Sequence, residues 1–112
     1  MADATPLTDL AFNILVALTD EELHGYALVK RLRDLEGRGD LRTGTVYAAL
    51  ARLQDEGWVE GGDPPSDGED ARRRYYRVTP EGRSAARAEA ARLTRVLRMA
   101  RSKDLLGDVA GA

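Results

Sequence analysis

The chain has 112 residues, 17 Lys and Arg against 19 Asp and Glu, one His and no Cys, so it can form one small domain with at most one further element. Its 43% hydrophobic residues suffice for a core, and the missing Cys excludes a disulfide scaffold, a thiol nucleophile and a Cys-based zinc site. The longest apolar run, Ile14 to Leu18, is far too short to cross a membrane, and no basic segment opens the chain as a secretory signal would, so a cytoplasmic location is expected.

The first predicted helix starts at Thr5 as N-cap and Pro6 at the first helical position, where a missing N–H costs nothing. Leu7, Leu10, Ala11, Ile14, Leu15 and Leu18 then recur at helical spacing. A second helix runs from His24 or Gly25 to about Glu36. His24 starts it by hydrogen bonding, and Ala27 or Leu28, Leu32 and Leu35 form its buried side. Gly37 to Asp40 reads as a turn, since two Gly supply backbone angles that other residues avoid. The third helix opens near Thr43 and runs to Glu56. Its buried stripe is Val46, Leu50 and Leu53, and Gly57 ends it. Thr45, Ala48, Ala49 and Arg52 then face outward, with Tyr47 on the flank.

Two short strands follow, Trp58 to Glu60 and Tyr75 to Val78, rich in aromatic and β-branched residues. Between them, Gly61 to Asp70 carries no core residue and reads as a long hairpin tip. Thr79 and Pro80 cap a final helix that reaches Ser102 or Lys103. Ala86, Ala90, Leu93, Leu97 and Ala100 form a coiled-coil-like seam along it, widened by Val96 and Met99. A seam with no internal partner in so short a chain is the kind of apolar stripe that marks an interface. The tail from Gly107 is expected to fray.

Three helices followed by a two-stranded hairpin make a winged helix-turn-helix. The expected fold is therefore mainly α with a small β-hairpin: a winged domain over residues 1–79, then a C-terminal dimerisation helix and tail over 80–112. In such a fold the third helix enters the major groove and the wing reaches the adjacent backbone. Thr43 and Thr45 offer hydroxyls to phosphate, Gly44 permits close backbone approach, Ala48 keeps the face shallow, and Arg42 and Arg52 put a cation at either end. Tyr47 either packs against the wing or gives its phenol O–H to a phosphate, and the second is favoured. The run Arg72-Arg73-Arg74 lies on the wing. It belongs to a cationic half of the chain: residues 72–112 hold 11 basic and 4 acidic groups, whereas residues 1–71 hold 6 and 15.

These blocks resemble the PadR-type transcriptional regulators, the phenolic-acid-responsive repressors. The resemblance is carried by His24-Gly25-Tyr26-Ala27-Leu28, by Thr43-Gly44-Thr45-Val46-Tyr47-Ala48-Ala49-Leu50, by Arg52-Leu53 and Glu56-Gly57-Trp58-Val59, and by Arg74-Tyr75-Tyr76-Arg77-Val78-Thr79-Pro80-Glu81-Gly82-Arg83. It covers roughly residues 7 to 91. It implies a homodimeric repressor on an inverted-repeat operator of double-stranded DNA, released by a small-molecule effector or another signal. It also implies that the last helix makes much of the dimer, through Ala86, Ala90, Leu93, Val96, Leu97 and Ala100. Thr45 and Tyr47 fall on the family's DNA-facing motif. One helix after the wing matches the short branch of the family. That helix has no aromatic residue on which a flat ligand could stack, so the identity of the effector does not carry over.

The alternative reading is a winged-helix module that binds protein without DNA, which the acidic first half favours slightly. Catalysis has no support. One His without Cys cannot build a metal site, the acidic pairs Glu21-Glu22 and Glu69-Asp70 sit in loops without converging, and no cofactor motif is present. Tyr26 and Tyr76 are expected in the core or an interface, and Trp58 in packing.

Overall fold

The computed structural model describes residues 7–62 and 74–107. Its elements are α1 (Asp9–Leu18), β1 (Leu23–His24), α2 (Gly25–Glu36), α3 (Thr43–Asp55), β2 (Val59–Gly62), β3 (Tyr75–Val78) and α4 (Pro80–Ser102). The sheet is antiparallel in the order β1-β3-β2. Leu23 pairs with Tyr76 and His24 with Tyr75 on one side of β3, and Val59 pairs with Val78 and Glu60 with Arg77 on the other.

One core joins the first three helices to the sheet. Ile14, Leu15 and Leu18 of α1 meet Leu28, Val29 and Leu32 of α2, Val46, Leu50 and Leu53 of α3, and Val59 and Tyr76 of the strands. Each fully buried aliphatic side chain contributes roughly 1.5–3 kcal/mol. The stability of α3 therefore comes from its three-residue inner stripe, which leaves its outer face free of folding duty.

Capping sets the helix ends. α1 is capped by Thr8, whose hydroxyl accepts the Ala11 N–H at 3.1 Å, and not by the expected Thr5, which with Pro6 lies outside the described residues. His24 starts α2 as expected: its Nδ1 accepts the Ala27 N–H at 3.2 Å. Gly37, in the left-handed region at φ 65°, ends α2, and its N–H returns to Arg33 and Asp34. Thr79 caps α4 with Pro80 in its first turn, again as expected.

Several expectations are corrected. β1 makes the sheet three-stranded instead of a hairpin; two residues are too short to show alternation. Gly61 and Gly62 pair with β3 as the end of β2, so the hairpin tip begins later, and residues 63–73 lie outside the description. Leu35 is 53% exposed and is replaced on the buried side of α2 by Val29. Ala49 packs against the core instead of facing out. Tyr26 is 71% exposed, whereas Tyr76 is buried as expected. The α4 seam is divided. Ala86 packs on the chain's own core, while Val96, Leu97 and Met99 are more than half exposed, so the seam does have a partner within the chain over its first part.

Candidate nucleic-acid interface

The α2–α3 connection aims α3. The Arg33 guanidinium donates from Nε (3.0 Å) and from a terminal nitrogen (2.8 Å) to the Leu41 carbonyl, and the Leu41 side chain is buried. The loop is thus held from outside by a charged hydrogen bond and from inside by apolar burial. Arg42 is the N-cap of α3 and contributes no side-chain cap hydrogen bond, so its side chain does not satisfy the N–H groups of the first turn.

Arg42, Thr43, Gly44, Thr45, Ala48 and Arg52 are all exposed along this ridge. A Cβ built on Gly44 would meet nothing within 4 Å, so nothing in the chain's own packing requires glycine there. A glycine in a helix costs about 0.5–1 kcal/mol relative to alanine. Close approach by an external surface is what that residue would serve.

Tyr47 takes a position between the two sequence readings. It is 40% exposed. Its ring end lies over Gly25, and a Cβ on Gly25 would overlap the phenol oxygen and come within 2.8 Å of Cε1. Tyr47 therefore packs on the first residue of α2, and Gly25 is the residue that makes room for it. Next to this contact stand Tyr26 and His24, with rings 8° from parallel and centroids 6.5 Å apart, and His24 meets Tyr75 edge-on at 5.4 Å. Of the two places expected for Tyr26, core or interface, its exposure removes the core. Its side-chain exposure depends on how α2 docks, which periodicity does not show.

On the wing, Arg72 and Arg73 lie outside the described residues, and Arg74 stands exposed at the foot of β3. Burial pushes the Tyr76 phenol upward, and the nearby charge of Arg74 partly opposes this. The adjacent Arg77 is neutralised by Glu60 at 2.9 Å and Glu22 at 3.6 Å. Its hydrogen bond to Glu60, followed by the attraction of that carboxylate, holds the guanidinium firmly charged. Arg31 pairs with Glu21, and Arg38 with Glu36 and Asp40. Among the described residues Arg42, Arg52 and Arg74 make no ion pair. Lys30, Arg87, Arg95, Arg98, Arg101 and Lys103 likewise make none there, so Arg42, Arg52 and Arg74 are set apart by their place, at the two ends of α3 and at the foot of β3.

No group of three or more His, Asp or Glu side chains among the described residues could hold a metal ion, and no helix there is long and apolar enough to cross a membrane. Every buried side-chain nitrogen or oxygen among them has a hydrogen-bond partner.

A sequence model of the PadR-like transcriptional regulator family matches residues 14–88. A PadR family transcriptional regulator from Eggerthella lenta is 32% identical with a TM-score of 0.67, over 88% of this chain and 83% of that one. A PadR-like transcriptional regulator from Bacillus cereus is 25% identical with a TM-score of 0.73, over 88% and 93%. A PadR family transcription regulator from Clostridium difficile shares the fold at 22% identity and a TM-score of 0.73, over 85% and 97%. An uncharacterized 37.1 kDa protein in transposon TN4556 of Streptomyces fradiae is 35% identical over 88 residues, which are 79% of this chain and 24% of that protein; the chain thus spans about a quarter of that relative's length. From helix caps to wing, residues 14–88 carry the family's pattern on the family's fold, and the chain belongs to the PadR-like family of transcriptional regulators.

Proposed function

We propose that the protein is a homodimeric DNA-binding repressor acting on an inverted-repeat operator, with α3 in the major groove and the wing on the flanking backbone. The observation that carries this reading is the uncovered outer face of α3: Arg42, Thr43, Gly44, Thr45, Ala48 and Arg52 are exposed together, with no element among the described residues packed over them. Thr43 and Thr45 supply hydroxyl donors, Arg42, Arg52 and Arg74 neutralise phosphates, and Tyr26 extends the donor row across the start of α2. Arg72 and Arg73 add to the wing's charge.

The second copy docks on the C-terminal half of α4. Val96, Leu97 and Met99 are 52%, 52% and 61% exposed there, an apolar strip that a partner helix would cover. Ala90 and Ala100 keep the approach close, and Leu93 is half-buried at its edge. Two-fold symmetry then sets two α3 helices about 34 Å apart, one turn of B-DNA.

Selection of binding sites from random duplexes at near-physiological salt tests this reading. Enrichment of a two-fold symmetric site is expected. No enrichment, or an asymmetric site bound by a monomer, would overturn it.

A further inference from the structure

Gly25 is buried at the start of α2, and its backbone does not call for glycine: among the described residues the glycines of positive φ are Gly37, Gly57 and Gly107. Glycine is also a poor helix former. What its missing side chain provides is space, and one group fills it. The three heavy atoms nearest a Cβ built there all belong to the Tyr47 phenol: the oxygen, which would overlap, Cζ at 2.5 Å and Cε1 at 2.8 Å. Tyr47 follows the buried Val46 on α3, so its ring reaches from the third helix to the second.

This seat faces outward, since Tyr47 is 40% exposed. Exposed Thr43 stands one turn before it on the same side of α3, and exposed Tyr26 follows Gly25 on α2. Among the described residues no hydrogen bond engages the Tyr47 phenol. Three hydroxyls, of Tyr26, Tyr47 and Thr43, therefore lie across the seam between the two helices. Such hydroxyls are recurring donors to phosphate oxygens. Ordering a surface side chain at the moment of binding costs affinity, and a side chain already held in place avoids that cost.

We infer that Gly25 is a positioning residue for DNA: the notch it leaves holds the Tyr47 phenol where it donates to a phosphodiester oxygen. The notch stands on the packing of this chain alone. The phosphate contact rests on the DNA-binding reading above. Gly25 acts only through Tyr47.

The notch is read without DNA. In protein labelled with 3-fluorotyrosine, the Tyr47 resonance is identified by its loss in Tyr47→Phe. Gly25→Ala should shift that resonance and still fold, because the new methyl displaces the tip of a side chain and not backbone. An unshifted resonance would overturn the notch. If Gly25→Ala alone does not fold, its combination with Tyr47→Ala should, since the obstacle is gone; a double variant that also fails to fold would overturn the notch.

The role on DNA is read by titrating a selected operator with the parent, Gly25→Ala, Tyr47→Ala and the double variant. Gly25→Ala should weaken binding about fivefold, the scale of one hydrogen bond, with an unchanged salt slope because no charge is lost. Tyr47→Phe, which keeps the ring and removes the hydroxyl, should lose about as much. In the Tyr47→Ala background Gly25→Ala should cost nothing further. Additive losses, or a Gly25→Ala protein that binds as the parent does, would overturn the positioning role. A parent that binds no DNA would refute the reading beneath it, and the fluorine resonance would still decide whether the notch exists.

Discussion

Replacing Gly82 by alanine should destabilise the protein through a collision with backbone. Gly82 sits in the first turn of α4, where its N–H donates to the Thr79 hydroxyl at 3.0 Å. A Cβ there would overlap the Trp58 carbonyl oxygen and lie 2.8 Å from Val78 Cγ2 and 2.9 Å from the Trp58 carbonyl carbon. No flexible side-chain tip can swing away from the Trp58 peptide, so α4 itself must move. That displacement pulls on two further bonds at the same joint, the Thr79 N–H to the Trp58 carbonyl at 3.0 Å and the Thr79 hydroxyl to the Gly57 carbonyl at 2.7 Å. Overpacking typically costs about 1–3 kcal/mol, and each strained hydrogen bond about 1 kcal/mol net. Alanine returns about 1 kcal/mol of helix propensity. The balance is a loss of about 2–4 kcal/mol, a sizeable share of the roughly 5–15 kcal/mol that holds a domain folded. Urea titration followed by far-UV circular dichroism should show a lower midpoint with an unchanged slope. Gly44→Ala is the control, because its new methyl meets nothing, and it should leave stability equal or raised by up to about 1 kcal/mol. A Gly82→Ala protein within about 0.5 kcal/mol of the parent, the ordinary range for harmless surface changes, would refute the argument.

Four other outcomes follow from the geometry. Arg74→Ala should weaken operator and random DNA alike and reduce the slope of log affinity against log salt by about 0.9, one phosphate's share, in a salt-titrated binding assay. Thr45→Ala should cost operator binding about 1 kcal/mol, the usual worth of a hydrogen bond, with an unchanged melting temperature. Leu97→Lys should sediment as a monomer in analytical ultracentrifugation and keep its circular dichroism spectrum. The hydrogen bond from Arg92 holds the Glu89 carboxyl below the usual glutamate range, so its contribution is present above the ordinary glutamate range and is lost as pH falls through the lowered value; Glu89→Gln should therefore flatten the acid limb of stability below about pH 4.

What was legible in the sequence was set by local chemistry. The caps at His24 and Thr79, the left-handed Gly37 and the stripe Val46, Leu50, Leu53 each depend on neighbours within one helical turn, and each was foreseen. Thr5-Pro6 and Thr8-Asp9 both carry capping chemistry in the sequence, and Thr8 is the residue that caps α1. The features that were missed arise from contacts distant in sequence. β1 exists because Tyr75 and Tyr76 lie beside it, not because Leu23 and His24 favour a strand. Tyr47 settles on Gly25, twenty-two positions earlier. The outer face of α3 could be read because an amphipathic helix with a known buried stripe leaves its other side determined. Which aromatic beside it would be exposed depended on the docking of α2.

The middle position of β3 in the sheet has a mechanical meaning. The same four residues form one side of the wing and, through Leu23 and His24, the seat of α2. A tug on the wing is therefore not absorbed at a hinge. It loads the β1 pairing, then the imidazole that starts α2, then the glycine on which Tyr47 rests. Strand β3 and the start of α2 should open and close together as one cooperative unit, with the amides of Tyr75 and Tyr76 exchanging their hydrogens in step with those of the first turn of α2.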